Sequence, residues 1–449
     1  MAKKTICLYF EVHQPVRLRK YQFFDIGKKH DYYDDFENRV STQNMANSCY
    51  LPANRILLKL LKEYSTRFKV AFSIPGISLE LFQKYAPEVI KSFQELAKTG
   101  CVEFVVQSYS HSLSEFIDEV EFKQQLVRNA TLIKELFGQT PKTFRSTAMI
   151  YSDHIGELVA KMGYTTVLTE GAKQILGWKS PNFVYANAIN PKLKLLLRNV
   201  DLCDDITLRF GNRAWDQWPL TSDKYAQWLA TSVKDSDVVN LFFNYKVFGA
   251  YHKADTGIFA FWEHFPKAIL SHPDIEFLTP TEATKKHLSV APLNVPFPIS
   301  WADEERDVTA WLGNEMQEEA FEDLYKVRDL VTQIDDPDLN QDFTYLQESD
   351  NLYYMCTKLF STYGASKHHT PYSSPYEAFI NYMNIVSDFL DRVDRKKEEV
   401  SSKKVAPKTV KAKATPKAVK AKTEPKAVKA KADTKAVKAK AASKVVKGR

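Results

Sequence analysis

The sequence predicts an α/β protein: strand–helix units packed as a parallel barrel, a helical unit after them, and a basic tail too polar to fold. Three observations carry this. Apolar strand-like runs alternate with amphipathic helical ones over roughly the first 290 residues, the pattern of a parallel sheet covered by helices. No glycine-rich phosphate turn follows the first strand, which favours a barrel over the alternative, an open doubly wound sheet. From residue 308 the strand signal stops while helical periodicity continues. The expected domains are a barrel at 1–290, a helical unit at 291–398 and a tail at 399–449.

Residues 5–12 read as a buried strand, ended by Pro15 in His13-Gln14-Pro15. A long irregular insertion, 16–50, follows; its length points to function. Residues 51–64 form an amphipathic helix, 68–74 a strand, and 87–98 a helix with proline in its first turn. Then come a strand at 102–107 and a helix at 117–136. Residues 143–171 make the central unit: a strand at 143–147, a helix at 153–162 capped by Asp153, and a second strand ending near Glu170. Further strands are expected at 195–197, 238–244 and 275–278, with helices at 225–233 and 257–270. Helices at 310–333, 342–363 and 376–395 complete the folded part.

The net charge of +7 conceals two opposite bodies. Residues 401–449 hold 17 Lys/Arg against Glu424 and Asp433, so the other 400 residues carry a net −8. In the tail, PKAVKAK-like units recur every nine residues; lacking aromatics, they cannot bury enough surface to order. Spaced lysines of this kind suit a polyanion, nucleic acid first, bound without sequence preference; a solubilising expansion and an acidic membrane surface are the alternatives. The composition resembles the tails of linker histones. Five scattered cysteines, an odd number without metal-type spacing, argue against a disulfide framework. No signal peptide or membrane span is expected, and a cytoplasmic location follows.

In a parallel barrel, chemistry sits at the carboxyl ends of the strands. Two such places, 145–151 (RSTAMIY) and 241–249 (LFFNYKVFG), centre on Ala148 and Asn244. They come in order with His13-Gln14-Pro15, VEFVVQSYSHSL at 102–113, LTEG at 168–171, DDITLRF at 204–210, DTGIF at 255–259 and SWADEERDVTAWLGNEMQ at 300–317. Together these motifs resemble glycoside hydrolase family 57, in its α-amylase-type and α-amylase-like branch, over about residues 5–395.

The resemblance implies an incomplete TIM-like (β/α)7 barrel with a helical carboxyl-terminal unit, acting on α-glucans such as starch or glycogen by a retaining mechanism. That mechanism needs two carboxyl groups about 5–5.5 Å apart, a nucleophile and an acid/base. In the family the nucleophile is the glutamate of a motif like RNTELIY and the acid/base the aspartate of one like MDYETFGEH. Here Ala148 stands at the first place and Asn244 at the second. Alanine has no oxygen to attack an anomeric carbon, and an amide is no carboxylic acid. Gln107, Lys246 and Ala250 likewise stand where the family has glutamates. The expectation is a pseudoenzyme that binds α-glucan without cleaving it.

For sugar binding the resemblance implies His13, His111, Arg145, Trp301 and Asp303. The histidines could instead be hydrogen-bonded core residues, Arg145 a brace for carboxylates, Trp301 a wall aromatic and Asp303 a salt-bridge partner. Glu11, Glu103, Glu170, Asp204, Asp205 and Asp303 are the acids that could replace the lost pair. No cofactor and no metal is expected; His13 and His111 lack an assembled third ligand. The partners expected are an α-glucan or maltooligosaccharide in the cleft and a polyanion on 401–449.

Overall fold

The computed structural model describes residues 3–358 and 370–405, the last three by backbone alone. The described residues up to 402 gather into one compact unit. Ten strands occur among the described residues: β1 Lys4–Glu11, β2 Val70–Ser73, β3 Val102–Val105, β4 Thr143–Arg145, β5 Thr166–Thr169, β6 Val184–Asn187, β7 Lys194–Leu197, β8 Val238–Asn244, β9 Ile275–Phe277 and β10 Pro292–Leu293. β1 lies parallel to both β2 and β8, β2 to β3, β4 to β5, and β5 to β7. Two single parallel bridges complete the ring, Val106 with Phe144 and Arg198 with Asn240. The order β1-β2-β3-β4-β5-β7-β8 therefore returns to β1.

The ring is pinched at β7–β8. β6 runs antiparallel along β7 between Lys194 and Leu196, so β7 and β8 meet only where the carboxyl end of β7 passes Asn240 of β8. The amide of Asn199 donates to the carbonyl of Asn240 (3.0 Å), and Asn240 Nδ2 donates to the carbonyl of Leu197 (2.9 Å). β10 extends β6, and β9 pairs with the first residues of β1.

Side-chain alternation sorts the strands into two faces. Ile6, Leu8 and Phe10 of β1 pack outward with the helices Leu51–Tyr64 and Ile258–Leu270. Cys7 and Tyr9 point inward, with Ala71, Val105, Leu168, Leu196 and Phe242. Both faces are buried, so β1 reads as a continuous apolar run rather than an alternating one.

Several expected elements are corrected. The strand expected at 143–147 stops at Arg145, because Ala148 and Met149 take left-handed backbone (φ 53° and 55°) in a tight turn, Thr147–Met149. The following helix, Asp153–Lys161, is capped by Ser152 rather than Asp153; the Asp153 carboxylate accepts from the amide of Val295 (2.7 Å) and from Asn187 Nδ2 (3.1 Å). The insertion at 16–50 is not irregular throughout. It holds a helix, Asp35–Met45, capped by Asp34, which leads through a π turn into Leu51–Tyr64. β6 and β10 were not foreseen.

The helix expected at 310–333 is two, Glu315–Tyr325 and Arg328–Ile334, the first starting late because Asn314 caps it. That expected at 342–363 becomes Pro337–Leu346, begun by the Asp336 cap, and Ser349–Tyr354; residues 359–369 lie outside the described residues. The last helix runs Pro375–Val405. The lysine repeat from 407 also lies outside the described residues.

Candidate active-site cleft

The inward parity of the strands, carried to their carboxyl ends, turns from apolar to polar. Glu11 closes β1, Arg145 closes β4, Asn244 closes β8, and Gln107, Glu170 and Arg198 stand one or two residues past β3, β5 and β7. Glu11 and Asn244 are register partners on neighbouring strands. A cavity of about 440 Å³ opens above this layer, walled in part by Glu11, Arg145, Arg198, Asn244, Tyr251 and Trp301.

Neither of the two positions singled out by the resemblance, Ala148 and Asn244, carries a carboxylate. Ala148 is buried in its left-handed turn, where its carbonyl accepts from the amide of Trp301 (3.2 Å). Asn244 faces the cavity, and its Oδ1 accepts from the amide of Lys246 (3.0 Å), capping the short turn that follows β8.

Arg145 is about 1% exposed and donates through Nη1 to Glu11 (2.6 Å) and to the side-chain oxygen of Gln107 (3.2 Å); its Nε has no partner. Burial opposes the charge of Glu11, but Arg145 and His111 outweigh it and hold this carboxyl far below its usual range. Glu11 is thus a fixed anion, not a proton donor.

His111, itself at φ 52°, sits 3.1 Å from Glu11 and stacks on His13 with ring centroids 3.8 Å apart. Asp350, from the helix Ser349–Tyr354, lies 2.8 Å from His13 Nε2 and 3.5 Å from His111 Nδ1. Burial disfavours charge on both rings. On His111 the bonds to Asp350 and Glu11 overcome it and raise the pKa, while burial and then the charge of His111 push His13 down to about 4. His13 is accordingly neutral and donates from Nε2 to Asp350. Glu348, whose carboxyl burial raises, accepts from the amide of Val16 (3.0 Å).

Opposite this cluster, Arg198 donates to Asp204 (2.5 Å) and to the carbonyl of Phe242 (3.1 Å), and approaches Glu170 at 3.5 Å. Arg306 reaches the same two acids at 3.9 and 4.0 Å and donates to the carbonyl of Trp301. It anchors the 300–307 loop, whose Asp303 (φ 49°) and Arg306 (φ 53°) are also left-handed.

Of the sequence-predicted binding residues, Arg145, Trp301 and Asp303 line the cavity, whereas His13 and His111 stand behind it in the Glu11–Asp350 cluster. Among the candidate replacement acids, Glu11, Asp204 and Asp303 reach the cavity. Glu170 is buried behind it, Asp205 pairs with Arg209, and Glu103 bonds Thr143 and Thr281 at the other end of the barrel. Asp350, Glu348, Arg198 and Arg306 were missed. Asp350 acts on a histidine 337 positions away and Glu348 on an amide 332 away, while Arg198 and Arg306 converge on Glu170 and Asp204 from separate segments.

One nitrogen each of His13 and His111 and one Asp350 oxygen lie within 4.8 Å of one another. A metal ligated by two imidazoles must lie near both ring planes, about 2.0–2.1 Å from each nitrogen. Rings stacked within 16° of parallel share no such point. This arrangement suits an ion cluster instead.

Residues 7–296 match glycosyl hydrolase family 57. A protein of Methanocaldococcus jannaschii named "Putative alpha-amylase" is 37% identical over 400 residues, 86% of this chain and 84% of that one. Among solved structures, a GH57 branching enzyme of Thermococcus kodakaraensis aligns with a TM-score of 0.65 at 11% identity, covering 90% of this chain and 91% of that one. The α-amylase AmyC of Thermotoga maritima gives 0.58 at 12%, covering 90% and 95%. With the 4-alpha-glucanotransferase of Thermococcus litoralis the TM-score is 0.60 at 14%; the match covers 86% of this chain but 60% of that enzyme.

Proposed function

We propose that this chain, which belongs to glycosyl hydrolase family 57, holds an α-glucan in its barrel cleft without cleaving it, as a binding or regulatory protein of starch or glycogen metabolism. The ring of seven parallel strands is, on this reading, the incomplete (β/α)7 barrel of the family, and the compartment the cytoplasm. The observation that carries the proposal is Ala148: a methyl group on the left-handed turn where the resemblance puts the family's nucleophile, with Asn244 rather than an acid lining the cavity. Of the two carboxylates in the layer of strand ends, Glu11 is locked as an anion by Arg145 and Glu170 is buried behind the cavity. Retaining hydrolysis needs both an attacking oxygen and a proton donor.

The cleft is otherwise built for a polyol. Its arginines are matched with acids, and Trp301 and Tyr251 supply aromatic wall. Product analysis after long incubation with maltoheptaose tests this, with the Ala148→Glu, Asn244→Asp double variant alongside. The expected result is an inert wild type that binds the sugar, and turnover in the double variant. Glucose units released or rearranged by the wild type would sink the proposal and direct the search to Asp204 or Asp303.

The lysine repeat supports a separate proposal, that residues 401–449 bind nucleic acid or another polyanion. Truncation after residue 402 should then abolish binding to duplex DNA whose affinity in the full chain falls steeply with salt. A salt-independent affinity, or one that survives truncation, would count against it.

A further inference from the structure

Trp178 is the most exposed large apolar residue among those described, at 93%. A free indole in water is unusual, because tryptophan carries a large apolar payload that folding normally hides. Its position is built rather than incidental. The helix Lys173–Leu176 ends at Gly177, whose φ of 58° and ψ of −116° suit a residue without Cβ. The turn is closed on both sides: the amide of Gly177 donates to the carbonyl of Lys173 (2.8 Å), and that of Lys179 to Leu176 (3.0 Å). The turn is therefore pinned, and it carries an indole in solvent.

This turn belongs to the cleft wall. Gly171, Lys173 and Gln174 line the cavity, and Gln174 Nε2 donates to the carbonyl of Glu305 (2.8 Å), tying the element to the loop that carries Trp301 and Asp303. Trp178 is four residues beyond Gln174, so its Cα stands within about 14 Å of a cavity-lining residue.

We infer that Trp178 is a stacking platform for sugar rings of an α-glucan that extend out of the cavity, an outer subsite that sets preference for longer chains. The inference rests on the proposed glucan binding. Pyranose rings present apolar C–H faces that cover an aromatic plane, and an indole already solvated on a pinned turn gains from being covered without reorganising the backbone. A chain of sugars seated between Trp301 and Arg145 must leave the cavity past one of its walls, and Trp178 is the exposed aromatic of the segment that continues from the 171–174 wall. A maltose confined to the cavity serves as the comparison for a chain long enough to extend along that wall.

The test uses the full-length protein, its Trp178→Ala and its Trp178→Phe variants, titrated calorimetrically with maltose and with maltoheptaose. Thermal unfolding serves as the folding control, which an exposed side chain should leave unchanged. Trp178→Ala is expected to weaken maltoheptaose about three- to tenfold while leaving maltose unaffected, and Trp178→Phe to recover most of the loss. Equal affinity of wild type and Trp178→Ala for maltoheptaose would overturn this inference alone. A maltose affinity that falls in step would overturn the outer-subsite assignment. If wild type binds neither sugar at millimolar concentration, the glucan-binding proposal fails, and this inference with it.

Discussion

Glu115 offers a test of the cleft's underside that needs no ligand. It is about 6% exposed; Oε1 accepts from Ser146 Oγ (2.6 Å), directly before the Thr147–Met149 turn, and Oε2 has no partner. Burial, only partly countered by Ser146, pushes its carboxyl up to about 7 from an ordinary 4.5. The folded state therefore keeps a proton that the unfolded chain has already lost. Such a group's stabilising contribution is complete below pH 4.5 and declines as pH rises, until it is gone near 7. A shift of some two and a half pH units at about 1.36 kcal/mol each is a loss of about 3 kcal/mol between pH 4 and 8. Glu115→Gln keeps the acceptor for Ser146 and cannot ionise. The difference in unfolding free energy, variant minus wild type, should thus grow by about 3 kcal/mol from pH 4 to 8, other titrations cancelling. Urea unfolding at pH 4, 5, 6, 7 and 8 reads this directly. In melting temperature it corresponds to about 4 °C at some 2.1 cal/mol/K per residue over about 400 residues. A difference constant within 1 kcal/mol would show that Glu115 is solvated or paired in solution, and the reasoning would fail.

Other perturbations follow from the same geometry. Asp388, fully buried, accepts from Tyr32 Oη (2.5 Å), the amide of Gly27 (2.5 Å) and His30 Nδ1 (2.7 Å); Asp388→Ala strands three donors and should cost about 3–5 kcal/mol in urea unfolding, where under 1 kcal/mol would refute the hub. Ala148→Gly should leave stability unchanged or raise it by up to about 1 kcal/mol, since glycine escapes the left-handed penalty of about 1–2 kcal/mol and gives back only part of that gain through its greater unfolded-state entropy, while Ala148→Val should lose more than 1 kcal/mol. Asp350→Asn should lower the midpoint of His111, followed by NMR, because a raising contact is removed; an unmoved midpoint would place that proton elsewhere.

The strand–helix alternation was legible because each buried parallel strand is a short apolar run and each helix keeps its stripe; the helix Leu51–Tyr64 falls at its expected bounds. What was not legible depends on distant partners. The 16–50 insertion contains a helix of low amphipathicity whose Asn38 is held by the backbone of Arg17, and no apolar period announces it. The break between Leu346 and Ser349 leaves no turn signature, yet it places Glu348 against Val16 and Asp350 against His13. His13 and His111 came from the motif as sugar contacts, and the fold sets them one layer deeper. There His13 pairs with Asp350 and Ser78, and His111 with Glu11 and Asp350.

The backbone bears on whether this cleft is in use or derelict. Of the seven described non-glycine residues with left-handed φ, five (His111, Ala148, Met149, Asp303 and Arg306) surround it. At about 1–2 kcal/mol each they amount to roughly 5–10 kcal/mol, comparable to the whole stability of a typical domain. Such conformations persist only where the surroundings over-determine them. Here the surroundings do: Trp301 bonds the carbonyl of Ala148, Thr169 Oγ1 bonds that of Met149 (3.1 Å), and Arg306 bonds that of Trp301. A chain with no use for the cleft could relieve any of these positions with one glycine. These bonds hold the frame around Ala148 and Asn244 in one conformation without a glycine, which favours the proposal that the cleft still receives a ligand.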